Sequence, residues 1–195
     1  MNTSSSILNP PPHLARIEAM SLGLNFNMAS EPLTGSLLRT LARSKPSGRF
    51  LELGTGTGVS TCWMLDGMDA NATLVSVDND VRVQNVARRA LEEDTRVQFV
   101  HAEGASFIDQ LCHEGQTFDF IFADTWPGKF YHLDEALTLL KLGALYIVDD
   151  LLPQPNWPDD HSGKVSIFLQ YMMERTDMVI TPLMWSTGLL IATRI

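Results

Sequence analysis

The sequence predicts an α/β fold: a seven-stranded, mostly parallel sheet with helices on both faces and an antiparallel last strand. Three observations predict it. From residue 50 onward, short apolar runs alternate with amphipathic stretches of helical period, the pattern of a parallel sheet covered on both sides. The first run, Phe50-Leu51-Glu52-Leu53, ends in three glycines spaced two apart, Gly54, Gly56 and Gly58, and a helix-like stretch follows from Thr61 to Leu65. The last two apolar runs are separated by Pro182 to Gly188, long enough for an antiparallel pair.

In order, residues 1–12 are polar and end in Pro10-Pro11-Pro12, which reads as an extended leader. A short helix is predicted over 13–22 and a second over about 33–43, with Leu37, Leu38 and Leu41 facing inward. Lys45-Pro46-Ser47-Gly48 is then a turn. Strands are expected at 50–53, 73–77, 97–101, 118–123, 144–148, 178–181 and 189–193. Helices are expected at about 59–67, 80–93, 105–112, 130–140 and 161–174. In the 80–93 stretch Val83, Val86, Ala87, Ala90 and Leu91 make the inward face, which leaves Arg82, Arg88 and Arg89 as a solvated one. The organisation is one unit: residues 1–48 form a leader and helices packed on a domain spanning 49–195.

The glycine turn marks a ligand site, because a strand ending in such a turn at a helix N-terminus lets backbone approach a bound molecule. The spacing is not the dinucleotide fingerprint, since its sixth position is Val59, and no lysine follows for a phosphate loop. Instead Glu52 precedes the glycines and Asp78 ends the run Leu74-Val75-Ser76-Val77. A carboxylate at Asp78 suits a ribose diol, and an acid at Glu52 accepts an ammonium. Together these residues resemble the S-adenosylmethionine site of class I methyltransferases, a Rossmann-like fold in which the final strand inserts antiparallel beside the fifth.

Further along, Asp124 ends the run 118–123, and Asp149-Asp150 end the run 144–148. In such a sheet these strand ends are neighbours, so the acids converge. Two readings stand. A divalent cation with oxygen ligands would relieve their repulsion, or the acids cap and brace loops. The strings Glu103-Gly104-Ala105-Ser106, Asp124-Thr125-Trp126 and Asp149-Asp150 resemble the cation-dependent O-methyltransferases that include catechol O-methyltransferase and the plant caffeoyl-coenzyme A enzymes, over residues 26 to 193. That resemblance implies transfer of a methyl group from S-adenosylmethionine to a hydroxyl of a small molecule, such as a metal-coordinated vicinal diol. It assigns Glu52 and Gly54 to the methionyl part of the cofactor, Ser60 to its carboxylate, Asp78 to the ribose, Gly104, Ala105 and Ser106 to the adenine, and Met28 to a covering loop. Asp124 faces the reacting end of the cofactor.

By the same resemblance Asp124, Asp149 and Asp150 would hold Mg2+ or another divalent cation, although Asp150 stands where the family has an asparagine. Lys129 would be the general base, displaced by the intervening Pro127-Gly128. Its alternative is a solvated lysine, with His132 and His161 as second-choice bases. Trp126, Trp157 and Trp185 fall in the loops expected to flank an aromatic acceptor, and each also suits a packing role. The rival on the same fold is a metal-independent small-molecule methyltransferase.

Composition narrows the partners. A chain of 195 residues that is 45% hydrophobic and 19% charged is an ordinary globular protein, and a net charge of −9 repels nucleic acid. Cys62 and Cys112 make neither a disulfide framework nor a zinc spacing. No segment reaches 18 apolar residues and the start lacks a signal-peptide pattern. The expectations are therefore a cytoplasmic protein with a small-molecule acceptor, no nucleic acid or membrane partner, and room for a homodimer.

Overall fold

The structure is a computed structural model that describes residues 8–24, 26–154, 158 and 160–195. Seven strands form one sheet in the order β3-β2-β1-β4-β5-β7-β6. They are β1 (Arg49–Leu53), β2 (Thr73–Asp78), β3 (Val97–His101), β4 (Phe118–Ala123), β5 (Leu140–Val148), β6 (Met178–Leu183) and β7 (Leu189–Arg194). The first five are parallel; β7 runs antiparallel to β5 and pairs with β6 as the expected antiparallel pair.

The period of two along the central strands sorts their side chains into two cores. In β4, Phe120 and Phe122 enter one core while Ile121 and Ala123 enter the other, and in β5 Ile147 opposes Tyr146 and Val148. The first core is covered by α1 (Leu14–Ser21), α2 (Pro32–Arg43), α3 (Val59–Gly67) and α4 (Val81–Ala90). The second is covered by α5 (Gly104–His113), α6 (Leu133–Thr138) and α7 (His161–Met173). Phe50 and Phe120, both nearly inaccessible, stack at 5.0 Å between ring centroids. Each such side chain contributes about 1.5–3 kcal/mol by burial, which anchors β1 and β4, the strands that carry the glycine turn and Asp124, to the first core.

Two boundaries near the site differ from expectation, each for a local backbone reason. The helix predicted over 130–140 shrinks to α6, because a β-bridge between Pro127 and Tyr131 holds the preceding segment in a turn and His132 starts the helix from a left-handed φ of 52°. Downstream, β5 begins at Leu140 rather than 144, with a register irregularity opposite Phe118 and Phe120 and a positive φ at Gly143. The expected leader over 1–12 falls mostly outside the described residues, as does Trp157. No helix among the described residues is long and apolar enough to cross a membrane.

Candidate active site

The glycine turn sits at the carboxyl end of β1, in the middle of the sheet. Gly54 adopts φ 100°, and a Cβ there would lie 2.6 Å from the carbonyl oxygen of Asp124, so only glycine lets the ends of β1 and β4 meet this closely. The amides of Gly54 and Thr55 both donate to the carbonyl of Val77 at the end of β2. Asp78 completes the turn: its Oδ2 accepts from the Gly56 amide at 2.7 Å and its Oδ1 from the Asp80 amide at 2.8 Å. Beside it opens a cavity of about 260 Å³ whose lining includes Gly54, Asp78, Gly104, Trp126 and Tyr131.

Of the residues the resemblance assigns to the cofactor, Gly54, Asp78 and Gly104 line this cavity. Ala105 and Ser106 do not, although the Ser106 amide is held by the Glu103 carboxylate as the N-cap of α5. Glu103 and Thr125, quoted in the motif strings but given no role, also line it, as do Asn79 and Tyr131, which were not singled out. Tyr131 was legible only if the Pro-Gly turn had been read as folding back. Met28 is 67% exposed on a loop whose Phe26 lies over Gly56 and whose Ser30 donates to Asp124 Oδ2 at 3.1 Å.

Glu52 occupies a different place from the one the resemblance gives it. Its carboxylate is fully buried beneath the turn and accepts hydrogen bonds from the hydroxyls of Ser60, Thr61 and Ser76, each at 2.5 Å. It does not line the cavity, and Ser60 is turned to Glu52. Burial pushes this carboxyl up to about 7, against the pull of the three hydroxyl donors. The network continues through a Ser76–Thr55 hydroxyl pair to Gln84 of α4, whose Nε2 also donates to the carbonyl of Val100. Gln84 escaped the sequence reading; its signal was a polar residue beside Val83 on the inward face of α4.

At the ends of β4 and β5 the structure brings Asp124, Asp149, Lys129 and His161 together. Asp149 is buried; its Oδ1 accepts from the Asp150 amide at 2.7 Å and from the Thr187 hydroxyl. Burial, followed by the Asp149 and Asp150 charges, pushes the Asp124 carboxyl well above its ordinary range, and burial raises Asp149 to about 6. Lys129 is not solvated: it is 2% exposed, and its Nζ donates to the Asp149 carbonyl at 2.9 Å. His161 Nε2 lies 3.3 Å from the Asp150 carbonyl oxygen, and burial holds its pKa below the ordinary value. His132, the other candidate base, instead faces Asp109 on α5 at 3.4 Å.

These acids do not compose the expected metal centre. Asp150 leaves the strand with a φ of 62°, the Asp149 carboxylate is bound by protein donors, and the Lys129 ammonium already stands beside them. Among the described residues no group of three His, Cys, Asp or Glu side chains is placed to hold an ion. The donor set therefore does not fit a Mg2+ site, which needs near-octahedral oxygen ligands aimed at one point. Trp126 lines the cavity with the Lys164 ammonium 3.8 Å from its ring centroid, while Trp185 is 40% exposed in the β6–β7 loop.

Comparison with known proteins agrees with this architecture. The family model described as a methyltransferase domain matches residues 51–151. A curated Mycolicibacterium vanbaalenii protein that bears an O-methyltransferase name is 30% identical over 139 residues, 69% of this chain and 59% of that protein. A catechol O-methyltransferase of Niastella koreensis is 28% identical over 141 residues, 70% of this chain and 64% of that one. The chain thus spans about six-tenths of the length of these curated relatives. The Bacillus cereus O-methyltransferase structure superposes with a TM-score of 0.85 at 21% identity, covering 98% of this chain and 94% of that one. With the matched segment running from β1 past the end of β5, more than half its length, this chain belongs to the methyltransferase-domain family.

Proposed function

We propose that the protein transfers a methyl group from S-adenosylmethionine to a hydroxyl of a small molecule, by a route that uses no divalent ion. The observation that carries the reading is the cavity at the ends of β1 and β2, where the positive-φ glycine turn meets the Asp78 carboxylate. Each Asp78 oxygen accepts one backbone amide and has a second lone pair to offer a ribose hydroxyl. Gly54 and Gly104 keep the walls low, since a Cβ at Gly104 would already meet Pro127 at 2.9 Å. The Bacillus cereus relative, whose fold this chain shares, was solved with S-adenosylhomocysteine.

The bound cofactor supplies an electrophilic methyl on a sulfonium. Its transfer would leave the residues of this site two tasks, to orient the acceptor hydroxyl toward that methyl and to take up the hydroxyl proton. Lys129, donating to the Asp149 carbonyl, is placed as a charge; His161, kept neutral by burial, is assigned the proton. A base of this kind makes kcat/KM rise with pH through an apparent pKa below 6.5, a limb that His161→Asn removes. Calorimetry with S-adenosylmethionine and S-adenosylhomocysteine is expected to show binding of both and none of NAD. Folded protein that binds neither would sink the reading.

A further inference from the structure

We propose that the Lys129 ammonium is the resident cation of this site, supplied by the chain in place of a divalent ion, and that the acceptor is accordingly held through a single hydroxyl rather than a vicinal pair. The second half rests on the methyltransferase reading; the first does not.

The turn that carries Lys129 is built to bury it. Gly128 takes a φ of 82°, its amide donates to the Tyr131 carbonyl at 2.8 Å, and its own carbonyl accepts from the buried Tyr146 hydroxyl. A Cβ on Gly128 would come within 2.7 Å of Leu53, so the turn is pressed onto the sheet and its next residue points inward. The amides of Lys129 and Phe130 both return to the Trp126 carbonyl, which closes the segment. Lys129 is 2% exposed, and its ammonium donates to the Asp149 carbonyl oxygen at 2.9 Å and lies 5.3 Å from the Phe130 ring centroid.

Burying an ammonium this deeply is unfavourable unless negative charge stands nearby. Asp124 and Asp149 provide it: the Lys129 charge favours their ionised forms, against the burial and mutual repulsion that disfavour them. Neighbouring basic groups are engaged elsewhere, Lys164 with Asp160 at 2.5 Å and over the Trp126 ring. His161 feels Lys129 as a like charge that lowers its pKa further. A divalent ion entering among these acids would meet a fixed positive charge already lodged there. Two-point chelation of a diol needs such an ion; a fixed ammonium does not chelate.

The test uses Mn2+ as the probe, followed by electron paramagnetic resonance, on wild-type protein, Lys129→Met and Lys129→Arg, with folding checked by circular dichroism. Wild type and Lys129→Arg are expected to bind no stoichiometric Mn2+ up to about 1 mM, whereas Lys129→Met, with the charge removed, gains affinity by roughly tenfold or more. One tightly bound Mn2+ in wild type, weakened by Asp124→Asn, overturns the proposal. So does unchanged Mn2+ affinity in folded Lys129→Met. If that variant does not fold, the wild-type titration decides alone. Turnover in chelator is then compared for phenols with one hydroxyl and with two adjacent ones: comparable kcat/KM supports the acceptor class, and an absolute requirement for the diol defeats it. Failure of S-adenosylmethionine to bind would instead defeat the methyltransferase reading and leave the Mn2+ result standing.

Discussion

Replacing Asp78 with alanine is expected to weaken S-adenosylmethionine binding by about 100-fold or more with the sheet intact. One carboxylate does two things here. It pins the Gly56 amide, which sets the shape of the turn, and it offers the lone pairs on which a ribose diol would sit. Hydrogen bonds to a charged group contribute about 1.5–3 kcal/mol each, so loss of two corresponds to a factor of roughly 10²–10⁴ in affinity. Asp78→Asn keeps one acceptor oxygen and should lose only about tenfold. Calorimetric titration beside urea unfolding separates the binding effect from any loss of fold. An affinity for S-adenosylmethionine within threefold of wild type in Asp78→Ala would remove Asp78 from the site.

The frame around Asp78 was legible because periodicity and glycine spacing report backbone requirements. Each central strand is a run of apolar residues bounded by a charged or small residue, and the five parallel strands, the antiparallel pair and the turn follow from that alone. What the sequence could not show is which way a polar group turns once it arrives. Glu52 precedes the glycines as an ammonium acceptor would, yet three hydroxyls from α3 and β2 converge on it from below, and those partners come from residues 8 to 24 positions away. Lys129 poses the same problem. Pro127 and Gly128 read as a spacer that displaces it and left a solvated lysine as the alternative, whereas the Pro127–Tyr131 bridge folds the spacer back and Lys129 is buried. The acids at 124, 149 and 150 were placed rightly by topology, but convergence of strand ends is not convergence of lone pairs. Thr187, on a loop 38 residues downstream, takes one of the oxygens a metal would need.

Glu52 gives the largest expected effect on stability, and its sign is opposite to that of an ordinary acid. The folded carboxyl is raised from 4.5 to about 7 by burial, so between those values the native state holds a proton that the unfolded chain has released. Stability attributable to this group is therefore greatest below pH 4.5, falls as pH rises through the window, and is constant above about 7. A shift of this size corresponds to roughly 3 kcal/mol. Glu52→Gln keeps the shape and cannot ionise, so the variant's stability relative to wild type should climb by about that amount from pH 4.5 to 7 and then level off. Asp124 and Asp149, also raised, contribute slopes of the same sign, but both proteins share them and they cancel in the difference. Urea midpoints at pH 5, 6, 7 and 8 on the two proteins provide the measurement. A difference that stays flat would mean that Glu52 remains ionised at every pH tested, with the hydroxyls of Ser60, Thr61 and Ser76 outweighing its desolvation. Because those same hydroxyls join β1, α3 and β2 directly beneath the glycine turn, that result would make the ionised carboxylate, rather than the neutral acid, the group that holds the cofactor turn in place.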